Sequence, residues 1–367
     1  MKLSKLFSFG RKMAASSSPT AAPAACIAEP LEARQFLSAT LKVENLDIIP
    51  GYERMIFNRI QNPNTTYPNY VKDRGTLKLT NAGNSTLTLG GATISGPFKL
   101  LNALPASLPA GKSVTIGVQF TATAPPRYTY NQTNYTNRAT AAGAYVGSLS
   151  FKTNDPANAT YKEGLAGWFQ GKSEDNQEPG LQTIVNVLMD YKTNISSTKT
   201  PTFPQGTTPK YVGEEVVSAY WKAANPAKSV SVRNIAAFHS QGYVMKFAWY
   251  NKATKGVYQS LTTAALAGQS LLPYKEGQKG VAASTSISPG SATFGFKIDN
   301  EYSDDKLNSN KTGGGHHVRF WPVRDHLGNK IANTYFMAMD YSVSAGTQNW
   351  DFQDGVYIIS NIVPAGN

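Results

Sequence analysis

Histidines are concentrated in one short segment near the C-terminus. The stretch GGGHHVRFWPVRDHLGN, residues 313–329, contains three of the chain's four histidines. A histidine side chain can carry a proton near neutral pH or bind a transition metal. No further histidine or cysteine stands at a spacing that would complete a zinc site with them. The sequence therefore does not favour zinc binding here.

The position of each histidine predicts a different role. Successive side chains of a strand point to opposite faces of its sheet, so His316 would share a face with Val318, and His317 with Trp321. We therefore expect His316 to be a packing residue with a satisfied hydrogen bond. His317 is expected to be polar and to lie at the surface or the rim of the sheet, and His326, within RDHLGN, to lie in a turn.

Acidic residues around the same segment offer a second kind of site. Four strands are predicted in ATFGFKI, HHVRFWPV, NTYFMAMDY and GVYIISNIV. If these strands pair in sequence as an antiparallel meander, alternate strand ends meet at one rim of the sheet. The carboxylates expected at that rim are those of Asp299, Glu301, Asp304, Asp305, Asp340, Asp351 and Asp354.

Carboxylates that gather at one rim repel each other unless a cation compensates their charge. Oxygen-rich clusters of this kind suit Ca2+, so a calcium site is one interpretation of the rim and a solvated acidic edge is the other. The segment NWDFQDG resembles the acidic D-x-N-D-type loop of secreted β-sandwich domains, which implies ligands at Asp351 and Asp354. Gln353 replaces the usual asparagine there. If the rim binds calcium, calcium should raise thermal stability.

Motifs of enzyme active sites are missing from the sequence. It has no G-x-S-x-G elbow, no H-E-x-x-H pair and no phosphate-binding glycine loop. The single cysteine, Cys26, lies in the N-terminal leader, where it is not expected to act as a nucleophile. A glycosidase or a metal-dependent hydrolase could use two of the rim carboxylates, but nothing selects which two. We therefore expect a protein that is not an enzyme.

The composition predicts a mainly β protein. Of 367 residues, 41% are apolar and 16% are charged, and short alternating runs such as SVTIGVQFTA are separated by turn residues. GTLKLTNAGNSTLTLGG predicts a hairpin, and long helical patterns are scarce. The length suffices for two domains. We expect two β-sandwich-like domains, the first immunoglobulin-like and the second with one amphipathic helix.

Several segments resemble one domain family. LTNAGNSTLTLGG, GPFKLLNALPASLPAGKSVTIGVQFTA and GSLSFKTNDP, in that order, are similar to successive parts of ASH-type immunoglobulin-like domains, including the bacterial choice-of-anchor D modules. The resemblance covers residues 72–170 and implies a structural or interaction module without catalysis. It departs from the family at the insertion PPRYTYNQTNYTNRATAAGAY, residues 125–145. The tyrosines of this insertion form either a contact surface or part of an ordered loop.

These patterns divide the chain into three parts. Residues 1–40 are expected to be an export leader that is disordered or cleaved, residues 41–170 an ASH/immunoglobulin-like sandwich, and residues 171–367 a C-terminal β-rich module. A helix is predicted near residues 179–191, where apolar residues recur at helical spacing. Residues 165–367 also resemble a module that follows ASH-type domains in planctomycete surface proteins.

The leader combines a basic start with the segment EPLEARQFLSAT. This segment resembles the short LEPR-LLSA-type element near the N-terminus of planctomycete secreted and surface proteins, which implies export. A lipid anchor at Cys26 is less favoured, because Pro23 stands where a lipobox has leucine. No apolar run in the sequence is long enough for a transmembrane helix.

The net charge of +12 is not concentrated in a basic helix, so nucleic acid is not an expected partner. A diffuse positive charge favours attraction to an acidic cell-surface polymer or polysaccharide, and exposed edge strands favour contact with other copies of the chain. We expect an exported structural or adhesive protein, located at the cell surface or outside the cell. The alternative is a calcium-dependent carbohydrate-binding protein, which would need exposed aromatic side chains among Trp221, Trp249, Trp321 and Trp350.

Overall fold

A computed structural model gives the fold of the chain. It describes residues 38–46, 54–61, 70–126, 142–173, 177–195, 213–240, 242–263, 269–341 and 350–366. The predicted leader therefore lies outside the described residues except for residues 38–40. Residues 127–141 of the tyrosine-containing insertion also lie outside them.

Alternating runs in the N-terminal part form strands, as the sequence predicts. The segment SVTIGVQF, for example, places Ile116, Val118 and Phe120 on the buried face of one strand. The strands are β1 (Leu41–Asn45), β2 (Arg54–Ile60), β3 (Tyr70–Lys72), β4 (Arg74–Asn81), β5 (Leu87–Ile94), β6 (Phe98–Leu100), β7 (Ser107–Leu108), β8 (Ser113–Phe120), β9 (Ala142–Thr153) and β10 (Thr160–Gln170).

These strands form two sheets that pack face to face. One sheet has the strand order β1-β4-β8-β6, and the other has the order β3-β2-β10-β9-β5-β7. Apolar side chains from both sheets, among them Phe57, Leu77 and Phe151, form one core between them. This arrangement is a β-sandwich. The predicted immunoglobulin-like β fold is thus confirmed for this part of the chain.

The hairpin predicted in GTLKLTNAGNSTLTLGG is wrong. β4 and β5 belong to different sheets, so the chain crosses from one sheet to the other between them. The buried Asn81 organises this corner, because its Nδ2 donates hydrogen bonds to the carbonyl oxygens of Ser85, at 2.8 Å, and Leu108, at 2.9 Å. Asn81 therefore serves a corner between two sheets and not a hairpin turn.

The parallel pair of β2 and β10 is apolar on both faces. Leu165 and Phe169 of β10 point into the sandwich core. Ala166 and Trp168 belong to a second apolar cluster on the opposite face, which also contains Ile56 of β2. Strands that are covered on both faces carry nearly continuous apolar sequence, and this explains the composition of β2 and β10.

Strands also predominate in the C-terminal part. They are β11 (Tyr220–Ala223), β12 (Val230–Phe238), β13 (Met245–Asn251), β14 (Val257–Thr263), β15 (Gln269–Leu271), β16 (Tyr274–Lys275), β17 (Gln278–Ala282), β18 (Ser284–Ile287), β19 (Phe294–Ile298), β20 (Glu301–Tyr302), β21 (Val318–Arg324), β22 (Lys330–Met339), β23 (Gly355–Ser360) and β24 (Ile362–Gly366). The described residues are therefore mainly β, as predicted.

These strands form a second sandwich. One sheet has the order β17-β16-β14-β13-β19-β11-β24, with β20 paired to β19, and the other has the order β15-β12-β23-β22-β21, with β18 paired to β12. Trp221, Phe296, Val318 and Tyr357 belong to the core between them. β21, β22 and β23 pair in sequence as predicted. The prediction that β19 joins this meander is wrong, because the chain folds back on β19 as β20 and then crosses to the facing sheet.

The helix predicted near residues 179–191 is shorter than expected. It is a π-helical segment, Thr183–Leu188, with an apolar side that is buried. Ile184 lies in the same apolar cluster as Trp168 of β10 and Ile358 of β23. A third apolar cluster, distinct from the cores of the two sandwiches, therefore lies between the first sandwich, the helical segment and the second sandwich.

The described residues, from Ser38 onward, belong to one compact unit. The domain boundary near residue 170 stays a prediction. Within the described residues, none of the helices has the length and the apolar character that crossing a membrane requires.

Candidate functional site

The segment GGGHH reaches β21 through a turn that requires glycine. Gly313 and Gly315 have φ angles of 62° and 81°, in the left-handed region. At Gly313, a Cβ atom would lie 2.1 Å from Cη2 of the Trp350 ring. The missing side chain lets the turn pack against Trp350, and the turn places His316 and His317 in the protein interior.

Both ring nitrogens of His316 contact carboxylates. Nε2 lies 2.8 Å from Oε1 of Glu215, and Nδ1 lies 3.0 Å and 3.1 Å from the two carboxylate oxygens of Asp305. Burial alone would lower the pKa of His316, but the hydrogen bonds with Asp305 and Glu215 outweigh burial and raise this pKa. The surroundings therefore favour an imidazolium that donates a hydrogen bond to each carboxylate.

Glu215 connects His316 to a buried arginine. Its Oε2 accepts a hydrogen bond of 2.8 Å from Nη1 of Arg319, and both side chains are fully buried. The Arg319 guanidinium also lies over the Phe352 ring, 4.7 Å from the ring centroid. Burial lowers the pKa of Arg319 to about 10, so this side chain stays charged at neutral pH. Glu215 thus lies between the imidazole ring of His316 and the guanidinium group of Arg319.

His317 forms a separate pair with Glu301. Its Nδ1 lies 2.6 Å from Oε2 of Glu301, and its Nε2 lies 3.0 Å from the carbonyl oxygen of Thr312. The ring is fully buried, so the prediction of a surface or rim position is wrong. The reason is that the apolar cluster shared by the two sandwiches covers the face of β21 that carries Trp321.

The predictions for the other two histidines of this segment agree with the structure. His316 is a buried residue with hydrogen bonds at both ring nitrogens. His326 lies in the turn between β21 and β22, away from the GGGHH turn. These three histidines therefore do not converge on one metal.

A cavity of about 340 Å3, lined by both apolar and charged side chains, opens beside His316. The segment that leads into β11, the loop after β20 and the start of β21 surround it. The Tyr220 hydroxyl donates a hydrogen bond of 2.6 Å to Oδ2 of Asp304. Burial and the neighbouring Asp304 raise the pKa of Tyr220 to about 12. Residues that line the cavity include Tyr220, Lys252, Asp304, Lys306, His316 and Phe320.

A cluster of acidic residues lies where β22 ends and β23 begins. This acidic cluster consists of Asp340, Asp351, Asp354 and Glu178. Oδ2 of Asp354 accepts a hydrogen bond of 2.7 Å from the backbone N–H of Tyr341. Part of the Asp354 surface is exposed, but its carboxyl group lies among protein atoms. Burial, and then the charges of Asp340, Asp351 and Glu178, raise the pKa of Asp354 well above its usual value. Asp354 therefore keeps its proton to a higher pH than an ordinary aspartic acid.

Gln353 connects this acidic cluster to the first sandwich. Its Nε2 donates hydrogen bonds to Oδ2 of Asp351, at 2.8 Å, and to Oε2 of Glu178, at 2.9 Å. The other Glu178 oxygen accepts a hydrogen bond of 2.7 Å from Nε2 of Gln269. Oε1 of Gln269 accepts one of 3.3 Å from Nε2 of Gln170 in β10. A chain of polar side chains therefore runs from the cluster to β10.

The seven carboxylates predicted for the calcium rim do not meet at one point. Among the described residues, no group of three or more histidine, cysteine or acidic side chains is placed to hold a metal ion. The rim is thus not formed as one site, because protein donors already engage its carboxylates, and calcium binding stays a prediction. The partners are Tyr341 for Asp299, His317 for Glu301, Tyr220 for Asp304, His316 for Asp305, the Phe352 amide for Asp340, Gln353 for Asp351 and the Tyr341 amide for Asp354.

Three of the four tryptophans considered for sugar stacking belong to the core. The exposed fractions of Trp221, Trp321 and Trp350 are 0%, 1% and 6%. Trp249 is partly buried and stacks on Tyr258, with 4.5 Å between the ring centroids. Tyr258 is 48% exposed. Trp249 is therefore the one of these four tryptophans that is not in the buried core, and its partner Tyr258 was not predicted.

Sequence reasoning missed Glu215, Tyr220 and Lys252. None of them belongs to a motif, and all lie far from His316 along the chain. One signal was present, because two basic side chains in a segment that is buried need a carboxylate partner. His316 and Arg319 are such a pair. The sequence pattern does not reveal which glutamate or aspartate pairs with these two side chains.

Comparisons with known proteins find only distant similarity. Neither a family model nor a curated protein matches the chain. The solved structure of the secreted serine protease VesC from Vibrio cholerae is 10% identical over 89% of this chain and 51% of that chain, with a TM-score of 0.23. This chain thus spans about half the length of VesC.

Two further solved structures show similarity at the same level. The periplasmic chaperone SfaE is 9% identical over 80% of this chain and 96% of that chain, with a TM-score of 0.25. The ASH/PapD-like domain 7 of human CEP192 is 12% identical over 42% of this chain and 100% of that chain, with a TM-score of 0.21. Values this low carry no conclusion about function.

Proposed function

We propose that the chain is an exported protein with a structural or adhesive role at the cell surface and without enzymatic activity. The observation that carries this proposal is the apolar cluster that joins the two sandwiches. Side chains of β2 and β10 lie in it together with those of the helical segment and of β12, β22 and β23. The two sandwiches cannot rotate against each other without exposing this cluster to water. A rigid pair of this kind suits a protein that spaces or anchors other components.

Hydrogen bonds across the same contact support a rigid unit. The Asn58 side chain of β2 accepts a hydrogen bond of 3.0 Å from the backbone N–H of Leu271 in β15. Nη1 of Arg54 donates one of 2.7 Å to the carbonyl oxygen of Val187 in the helical segment. Such bonds fix the relative orientation of the packed elements, because an unpaired buried polar group costs free energy.

The surroundings of His316 favour a role without catalysis. A general base needs a ring nitrogen that can reach the substrate. Nδ1 of His316 faces Asp305 and Nε2 faces Glu215, so both nitrogens are engaged within the protein. We therefore assign His316 to the stabilisation of the fold.

The leader segment EPLEARQFLSAT supports export, and the ASH-type resemblance of residues 72–170 supports a structural or interaction role. The test is protease treatment of intact cells of the source organism, followed by immunoblotting of the full chain. We expect the chain to be digested while a cytoplasmic marker protein stays intact. If the chain were protected until the cells were broken, the proposal of a surface role would be wrong.

Carbohydrate binding is the second candidate function, and the cavity beside His316 favours it. The cavity combines apolar side chains with charged ones, as sites for polar small molecules do. Calcium is not needed for this candidate, because the cavity contains two lysine side chains that can bind an anion directly. Titration of the purified chain with sugars tests this candidate.

A further inference from the structure

The cavity beside His316 has the size of a small-ligand site. Its volume is about 340 Å3, near the lower end of the roughly 300–1,000 Å3 that ligand pockets occupy in proteins. A single sugar ring with its substituents fits this volume better than a long apolar chain. Val318 and Phe320 contribute apolar surface, whereas Ser218 and Tyr220 contribute polar atoms. A hydroxylated ring needs such a mixture.

The carboxylates in the cavity wall already have protein partners. Asp305 lines the cavity, and its carboxylate also contacts Nδ1 of His316. Asp304 accepts hydrogen bonds from the Tyr220 hydroxyl, at 2.6 Å, and from the backbone N–H of Lys306, at 3.1 Å. A carboxylate can accept further hydrogen bonds, since its two oxygens offer about four acceptor positions. Asp304 is thus fixed in place and still able to bind hydroxyl groups.

Two lysines at the cavity have no carboxylate partner among the described residues. Within the part of the chain that the structure describes, no carboxylate lies within salt-bridge distance of the ammonium group of Lys252 or Lys306. Lys252 is positioned by the Tyr220 ring, whose centroid lies 3.9 Å from Nζ. A cation–π contact orients an ammonium group without neutralising its charge. The two ammonium groups, in the same wall as the carboxylates of Asp304 and Asp305, are therefore available to an anionic group of a ligand.

We propose that this cavity binds a sugar ring that carries a carboxylate group. Lys252 and Lys306 bind the carboxylate, Asp304 accepts hydrogen bonds from hydroxyl groups, and Phe320 contributes the apolar wall. The proposal rests on the adhesive role proposed above, and it names the class of ligand that the adhesive protein would bind. The net charge of +12 supports attraction to an acidic polymer that contains such rings.

Titration calorimetry of the full chain tests the assignment with matched sugars. The probes are glucuronic, galacturonic and mannuronic acid, and the uncharged counterparts are glucose, galactose and mannose. We expect at least one acid to bind roughly tenfold more tightly than its counterpart, because a hydrogen bond to a charged group is worth about that factor. Absence of binding for all three acids, or equal affinity for each acid and its counterpart, would overturn the proposal.

Lysine variants distinguish the cavity from a general attraction by charge. Lys252→Gln and Lys306→Gln should each weaken binding of the preferred acid by roughly tenfold. Lys255→Gln removes an exposed lysine that does not line the cavity and should leave the affinity unchanged. An equal loss in all three variants would show that diffuse charge, and not the cavity, attracts the sugar. Melting temperatures equal to that of the parent chain would confirm that each variant is folded.

Failure of this proposal can be told apart from failure of the surface role. Sugar titration uses the purified chain, so its result does not depend on where the protein is located. Protease treatment of intact cells does not depend on any ligand. A chain that is digested on intact cells but binds none of the acids would be a surface protein without this site.

Discussion

The carboxylate of Glu215 contacts two buried basic side chains, with 2.8 Å from Oε1 to Nε2 of His316 and 2.8 Å from Oε2 to Nη1 of Arg319. The neighbouring backbone explains this position, because the N–H of Val216 donates a hydrogen bond of 2.8 Å to the carbonyl oxygen of Phe320 in β21. β21 is the last strand of its sheet. The segment that contains Glu215 therefore covers an open sheet edge and delivers a carboxylate to it.

Replacement of Glu215 by glutamine should strongly destabilise the fold. The change keeps the shape of the side chain but leaves His316 and Arg319 without their shared anion. Removing one partner of a buried ion pair costs about 3–5 kcal/mol, and we expect a loss of this size in urea unfolding at pH 7. Glu44→Gln is the matched control, because Glu44 pairs with Lys42 at the surface. A similar, small effect of both changes would contradict the proposed role of Glu215.

His239 should make the protein sensitive to acid. Burial lowers its pKa to about 4, whereas an unfolded histidine has a pKa of about 6.5. The folded state keeps the ring neutral, so this contribution to stability is complete above about pH 6.5 and is lost as the pH falls toward 4. His239→Gln should therefore reduce the fall in melting temperature between about pH 6.5 and 4.

Strand alternation predicts much of this fold because burial on one face of a strand leaves a period of two in the sequence. The pattern of β8 is an example, with Ile116, Val118 and Phe120 all buried. The same pattern carries no information about the sheet that a strand joins. Alternation alone therefore predicts the wrong neighbouring strands for β5 and β19, because a strand in a hairpin and a strand that follows a crossing between sheets have the same alternation.

The candidate site could be predicted only in part. His316 and Asp304 lie in a segment that the sequence singles out, and both line the cavity. Tyr220 belongs to β11 and Lys252 directly follows β13, and the pairing of β11 and β13 with β19 brings them close. Long-range strand pairing of this kind depends on the packing of the whole core, so no local sequence motif predicts it.

Asp354→Asn should stabilise the protein at neutral and alkaline pH. The pKa of Asp354 is raised by burial and by neighbouring carboxylates, so the folded state favours the neutral form. Stability from this group is present below the unfolded pKa of about 4 and is lost as the pH rises toward the raised pKa. Asparagine remains neutral throughout, so the variant should lose less stability on going from pH 4 to 8. Thermal melts of both proteins across this range provide the measurement.

Calcium provides the second test of the same cluster. If hydrogen-bond donors of the protein and the proton on Asp354 compensate the carboxylates of the acidic cluster, the melting temperature of the full chain should be the same in excess calcium and in EDTA. The double change of Asp351→Ala and Asp354→Ala should then alter stability equally in both conditions. A rise of several degrees with calcium that the double change abolishes would instead establish the cation site that the sequence suggests.

The two sandwiches should unfold together. Ile56 lies in the cluster shared by both sandwiches, and Leu77 lies in the core of the first sandwich alone. We expect a single calorimetric transition for the full chain. If one sandwich unfolded alone, the apolar side chains that the other sandwich contributes to the shared cluster would be exposed to water. Ile56→Ala and Leu77→Ala should each cost about 2–5 kcal/mol and shift the whole transition. Two separate transitions in the parent chain would show that the shared cluster does not couple the sandwiches.

Two glycine changes should separate backbone strain from close packing. Gly313 and Gly328 both have a positive φ, 62° and 88°, so alanine costs about 1–2 kcal/mol at either position. A Cβ atom at Gly328 would meet no atom within 4 Å, whereas one at Gly313 would lie 2.1 Å from the Trp350 ring. Gly313→Ala should therefore lose about 1–3 kcal/mol more than Gly328→Ala in urea unfolding, because the ring has to move. It should also change the near-ultraviolet circular dichroism of the tryptophans, since Trp350 is held against this turn. Equal losses in the two variants would mean that the turn before His316 does not depend on its contact with Trp350.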